Sequence, residues 1–368
     1  MREEGRISSY QAMNFIIAII LPTAILVLPS LTAERAAENA WLSPVIAFVL
    51  GLGIAYVAAS LALRFPDKTV IQFAPSLLGP VLGKIVGLVF IGYFFFITIV
   101  VQREFAELMT NLFYDRTPNI VFVGLLTGLA VYVVYKGLEV LARVNDIIIL
   151  LFLFSILFFL VVVIKDLRPQ AFLPFLGEGI GPVVFSAIPP AAWFAEAVVI
   201  MMLVPFLQDK GKAIKANIAA VTIVFLSLMI ITVGTIGILG SSETATFHFA
   251  SFAVVRRIEF AGLEFFQRQD ALFMALWVGA MLMKLGAFFY VGVLALSQWF
   301  NLRSYRPIIV PLATFFTVLS VQSWDSFSEF ALFTGQTVPL VIGSVAYGVT
   351  LFLFVVAMLR RKELDGKA

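Results

Sequence analysis

The 368-residue sequence contains no cysteine and a single histidine. Disulfides, thiol catalysis and cysteine metal sites are therefore excluded, and His248, in a polar stretch between two apolar runs, is an isolated imidazole. There is no phosphate-cradling glycine loop, HExxH, GxSxG or paired-carboxylate hydrolase arrangement. No cofactor, metal or catalytic residue is expected, and the chain does not read as a soluble enzyme. Charge is scarce as well. Asp, Glu, Lys and Arg make up 13% of the residues, about half the usual share. The net charge of +3 says little about partners, because most positive residues flank apolar runs. No nucleic-acid partner is expected.

What the sequence has in excess is apolar surface, with 61% hydrophobic residues against roughly 45–50% in an ordinary soluble domain. These residues come in long runs, such as Leu141 to Ile164 and the charge-free Thr337 to Leu359. Each run is long enough to cross a hydrocarbon core about 30 Å thick as a helix. Helix is the expected form, since every backbone group in lipid must be paired internally. The fold class is an all-α integral membrane protein with ten spans: 8–31, 40–63, 83–102, 119–135, 141–164, 181–207, 213–239, 271–298, 308–322 and 337–359. Residues 1–368 form one polytopic domain, and membrane lipid is its solvent. No cleavable signal is expected, because Met1 to Gln11 carries both charge signs and no small-residue cleavage site follows the first run.

With the amino terminus inside, the inner segments carry sixteen Lys and Arg and the outer segments eight. That bias predicts both termini on the cytoplasmic side and an even number of spans. The longest outer connection, 240–270, mixes Phe252, Val255, Ile258, Phe265 and Phe266 with Arg256, Arg257, Glu259 and Glu264. This pattern predicts short amphipathic helices on the outer face.

Two spans carry internal prolines. Span one has Leu21-Pro22-Thr23-Ala24, and span six has Pro189-Pro190 followed by Ala191-Ala192-Trp193-Phe194-Ala195-Glu196. Proline removes a donor and clashes with the preceding turn, so both spans are expected to be discontinuous. They lead successive groups of five spans, which predicts a five-plus-five inverted repeat, about 8–164 and 181–359, with a solute site at the breaks. Pro22 on its own also fits a kinked, packed helix.

Glu196 and Lys284 lie well inside spans six and eight, where an unpaired charge costs roughly 3 kcal/mol or more. They are candidates for ligand contact, proton relay or a structural pair with each other. Lys284 shares a helical face with Trp277, Ala280, Ala287 and Val291. It is the candidate for a fixed positive charge where a sodium-coupled protein would hold Na⁺. Tyr93 and Tyr290 are candidate pocket aromatics or core packing. Glu139, Arg143 and Asp146 read as a local salt-bridge ladder. The candidate substrate-binding set is Pro22, Thr23, Ala24, Tyr93, Ala192, Trp193, Phe194, Glu196, Lys284 and Tyr290.

Further motifs run in order along the chain: Ile7-Ser8-Ser9-Tyr10-Gln11, Phe65-Pro66-Asp67-Lys68-Thr69, Leu82-Gly83-Lys84, Arg116-Thr117-Pro118, Lys136-Gly137-Leu138-Glu139, Pro205-Phe206-Leu207, Asp270-Ala271-Leu272-Phe273 and Phe300-Asn301-Leu302-Arg303. With Trp193-Phe194-Ala195-Glu196 and Lys284, they give a chain that resembles the spore germination permease family over nearly its whole length. In that family these are the B subunits of GerA-type germinant receptors, within the amino acid–polyamine–organocation superfamily. The resemblance implies a ten-helix LeuT-like inverted repeat in the inner membrane of a bacterial endospore. It also implies a subunit that senses a small nutrient germinant, often an amino acid, beside a channel-forming A subunit and a C-subunit lipoprotein. Relatives usually place glycine in the span-one break, whereas here Thr23 offers a hydroxyl. A proton-coupled amino-acid permease and a non-binding scaffold are the alternatives.

Overall fold

The computed structural model of the chain describes residues 5–257 and 269–360. The span edges Arg2, Arg268, Arg361, Lys362 and Lys367, used above for orientation, lie outside the described residues. So do Ile258, Glu259, Glu264, Phe265 and Phe266 of the long connection.

No β-strand is formed among the described residues; one isolated parallel bridge pairs Ile7 with Leu207. The helices are α1 (Ser9–Ala36), α2 (Ser43–Leu63), α3 (Val70–Leu78), α4 (Pro80–Leu112), α5 (Asn119–Lys136), α6 (Leu138–Val163), α7 (Gly181–Ser186), α8 (Ile188–Ala195), α9 (Ile200–Leu203), α10 (Ala213–Leu239), α11 (Ser241–Thr246), α12 (Ala250–Arg257), α13 (Gln269–Trp299), α14 (Arg306–Gln322), α15 (Phe327–Gly343) and α16 (Thr350–Leu359). Among the described residues, eight stretches are long and apolar enough to cross a membrane. The first, of 55 residues, contains both α1 and α2; α14 is shorter but also apolar.

The sequence pattern sorts these helices into centre and rim. α6 shows the rim pattern. Ile147, Leu150, Phe154, Leu157 and Val161 are exposed, while Ala142, Asn145, Ile149, Phe152, Ile156 and Phe159 are buried. The two stripes repeat every three to four residues, one for lipid and one for protein. α1 is apolar on every side and packs against α6, α10 and α13 at the centre.

The expected gap in span one is not there. α1 is helical without interruption from Ser9 to Ala36, with Pro22 and Pro29 inside it. Neighbouring side chains serve the carbonyls near both prolines. Pro29 lacks the N–H that would pair with the Ile25 carbonyl, and Ser251 Oγ donates to that carbonyl at 2.7 Å. Trp277 Nε1 donates to the Pro22 carbonyl at 2.8 Å.

Span six is interrupted, though not in the proline pair itself. Pro189 and Pro190 occupy the first turn of α8, where proline costs little. The α-helix gives way just before the pair, at Ala187 between α7 and α8, then at a 3₁₀ turn over Glu196–Val199 and again at Val204–Phe206. Asn217 donates to the Ala197 carbonyl at 3.4 Å and to Ala55 at 2.9 Å. Tyr347 Oη donates to the Ala191 carbonyl at 3.0 Å from a π-helical turn, Ser344–Val349, between α15 and α16.

Two further corrections matter for the site. α4 continues to Leu112, ten residues past the predicted end of span three, so Arg103 is 4% exposed and is not a surface charge. Within the predicted ladder only Arg143 and Glu139 pair. Asp146 instead reaches α1, accepting from Asn14 Nδ2 at 2.7 Å and Gln11 Nε2 at 3.2 Å.

Backbone bonds tie span six to the start of α1. Ile7 N donates to the Phe206 carbonyl, and Gln208 N donates to the Ile7 carbonyl, both at 3.0 Å. We call this end of the bundle the amino-terminal face. It is further closed by Lys210–Asp67 at 2.5 Å and Thr69–Gln298 at 2.5 Å. The hydrogen bond from Lys210 holds the Asp67 carboxyl below the usual carboxylate range.

Candidate solute chamber

A cavity of about 250 Å³ opens toward the face opposite the amino-terminal one. This is just below the roughly 300–1,000 Å³ of drug-sized sites, a size that suits an amino-acid-sized solute. Its floor is made by Thr23 of α1, Glu104 of α4 and Trp193 of α8. Val100 and Val338 form apolar wall, and Glu34, His248 and Phe327 stand toward the mouth.

Packing fixes each floor residue. Thr23 follows the proline that Trp277 anchors, and its Oγ1 donates to Glu104 Oε2 at 3.0 Å. Glu104 rides on a helix whose next turn is clamped by a buried ion pair, Arg103 Nε to Glu107 Oε1 at 2.6 Å. Arg103 also donates to the Val321 carbonyl at 2.8 Å and Ser320 at 3.4 Å, fastening α4 to the end of α14. Glu107, another lining residue, is fully engaged, because Asn119 and Asn111 donate to its two oxygens at 3.1 and 3.2 Å.

Beneath the floor lies a dry charge cluster. Lys284 Nζ donates to Glu196 Oε2 at 3.0 Å, and each side chain is 1% exposed. The ammonium stands 5.7 Å from the Phe288 ring centroid, close enough for a cation–π contribution.

Of the sequence candidates, Thr23 and Trp193 line the chamber. Glu196 and Lys284 form the pair below it. Tyr93 lies beside that pair, with its ring edge-on to Phe288 and its hydroxyl unpartnered among the described residues. Pro22 contributes its carbonyl to Trp277. Ala24 and Ala192 are buried and do not line the cavity. Phe194 packs against Gly51 and Phe48 of α2, and Tyr290 stands edge-on to Tyr305, next to the start of α14.

The residues missed are Glu104, Glu107 and Tyr347. The first two lie in Gln102-Arg103-Glu104-Phe105-Ala106-Glu107, where three charges in five residues end a hydropathy run. The available signal was the i,i+4 spacing of Arg103 and Glu107, followed by more apolar residues, which marks a helix that carries its own ion pair.

A bundle of this shape, with an interrupted helix beside a central one and a small chamber where they meet, is a membrane protein of the solute-transporter fold. It superposes on MhsT in complex with L-phenylalanine with a TM-score of 0.74 at 14% identity, covering 97% of this chain and 90% of that one. A Na⁺-coupled sialic acid symporter superposes with a TM-score of 0.69 at 10% identity, covering 93% and 79%. At these identities the likeness speaks for the fold alone. The chain belongs to the spore germination protein family, whose sequence model matches residues 6–328. It is 27% identical to spore germination protein KB of Bacillus subtilis over 99% of this chain and 97% of that protein. It is also 24% identical to spore germination protein YndE of the same organism, over 86% and 85%.

Proposed function

We propose that this protein is the germinant-sensing membrane subunit of a spore germination receptor and binds a small nutrient in the chamber between α1, α4, span six and α15. One observation carries the reading. The chamber floor joins Thr23, Glu104 and Trp193 from three separate elements directly above the Glu196–Lys284 pair. A solute touching all three would favour one arrangement of those elements over another, and only such differential binding can transmit a signal.

In this reading the chain crosses the membrane ten times as two inverted groups of five. Its amino-terminal face is cytoplasmic, it lies in the inner membrane of the endospore, and it works beside a channel-forming A subunit and a C-subunit lipoprotein. Support comes from family membership, the Lys and Arg bias and the meeting of the start of α1 with the end of span six at Ile7 and Leu207. The chain acts by binding rather than by catalysis.

The test is germination of spores that lack their own nutrient receptors and carry this chain with its A and C subunits. Nutrient-triggered germination is expected, and Trp193→Ala is expected to raise the nutrient concentration required. Uptake of radiolabelled amino acid into proteoliposomes, driven by a pH gradient and sustained by this chain alone, would replace sensing with proton-coupled transport.

A further inference from the structure

The chamber has a marked chemical bias. Glu34, Glu104 and Glu107 line it, and no Lys or Arg does so among the described residues. Its remaining walls are largely aromatic and aliphatic, with Trp193 at the floor and Phe247, Phe249, Phe327 and Phe330 above. Carboxylates beside aromatic faces make an environment for an organic cation. An acidic lining alone would say little, but hydrogen bonding singles out one residue. Glu107 is saturated by Arg103, Asn111 and Asn119. Glu34 is exposed at the mouth. Glu104 is 8% exposed, and only its Oε2 is engaged, by Thr23. Its Oε1 receives no hydrogen bond among the described residues.

Charge counting points the same way. Lys284 donates to Glu196, so those two charges cancel. Glu104 is left as the uncompensated carboxylate of the cluster, at the boundary between dry core and chamber. A buried charge normally has a partner. The buried ammonium below it is already committed to another acceptor.

We infer that the solute sensed here is an amine, held by its ammonium group on Glu104, with its apolar body against Trp193 and Val100, and that a free carboxylate is not required for binding. This rests on the sensing role proposed above and narrows it to a substrate class. A zwitterionic amino acid enters ammonium-first. Its carboxylate meets no Lys or Arg of the chamber lining among the described residues and points toward the solvated mouth. A neutral sugar or nucleoside leaves Glu104 unpaired.

The experiment titrates the full-length purified chain in detergent, reading tryptophan fluorescence and thermal stability. The probes are L-alanine, L-leucine and L-phenylalanine, each beside its amide and its des-amino acid (propanoate, 4-methylpentanoate and 3-phenylpropanoate), with glucose and inosine as neutral probes. At least one amino acid should bind, with its amide binding as well or better. Its des-amino acid should bind about 100-fold more weakly or not at all, as expected when a buried acceptor loses its partner. Glu104→Gln should weaken amine binding by about tenfold or more. Thr23→Val, which keeps the charge and removes its orienting donor, should weaken it less. The wild-type probe series stands without either variant, so misfolding of Glu104→Gln leaves a decision.

A des-amino acid that binds as well as its amino acid overturns the inference. So does amine binding indifferent to Glu104→Gln in a folded variant, or Glu104-dependent stabilisation by sodium or potassium chloride alone. Glucose or inosine binding without any amine would sink the amine class and leave the sensing role standing. Silence from every probe, together with nutrient-blind spores carrying the complete receptor, would remove both.

Discussion

Lys284 is the residue on which the buried chemistry turns. It neutralises Glu196 by direct contact. Removing one partner of a buried pair costs about 3–5 kcal/mol, because the other is left charged and dry. Lys284→Met strands the Glu196 carboxylate, and Glu196→Gln strands the ammonium. Each change alone should therefore destabilise, and the double variant should lose less than the sum of the two. Thermal melts of the four proteins in one detergent check this; additivity would contradict the buried pairing. The presence of both ionisable residues inside spans could be read from the sequence. Their pairing could not, because it joins positions 88 apart on helices whose relative rotation depends on everything packed around them. Glu104 was hidden for the opposite reason. Hydropathy treats a charge as the end of a span, while here Arg103 and Glu107 satisfy one another inside it.

At the scale of elements, close approach is set by small residues and by side chains that serve freed carbonyls. A Cβ added at Gly83 in α4 would fall 2.2 Å from the Pro75 Cα in α3, against rigid backbone. Gly83→Ala should then force the α3–α4 corner apart and destabilise the fold by at least ~1–3 kcal/mol. A melting temperature near wild type would show that the corner yields. Ser251→Ala leaves the Ile25 carbonyl without the donor that Pro29 denies it, a loss of about 1–3 kcal/mol, and hydrogen exchange along α1 should rise locally. Prolines in the sequence pointed to two spans, of which span six is interrupted and span one is not. They did not show how each is resolved. In α1 the helix continues, and at Pro29 a neighbour supplies the missing donor. In span six the prolines sit harmlessly at a helix start, and the irregular turn falls at Glu196–Val199.

Across the whole molecule, one end of the bundle is closed and the other holds the chamber. The Asn14–Asp146 and Gln11–Asp146 hydrogen bonds, with the Ile7–Leu207 bridge, lock α1 to α6 and span six at the amino-terminal face. The native chain lacks cysteine, so single cysteines report accessibility cleanly. Thr334→Cys, in the chamber wall, should react with a membrane-impermeant thiol reagent applied to the opposite face. Ala12→Cys should stay protected from either side until Asp146→Ala releases α1. Ready labelling of Ala12→Cys in the wild-type background would mean the seal is open. The amino-acid sequence alone determined the solvent of this protein and its helical form, because both follow from local quantities, the length and polarity of each run and the need to pair its backbone in lipid. It also nominated the interrupted span six and two intramembrane charges. Tertiary structure decided which acceptor each charge meets, which nominated residues reach the chamber and where the chamber lies. Those depend on distances between segments far apart along the chain, and no local pattern encodes the rotation of one helix against another.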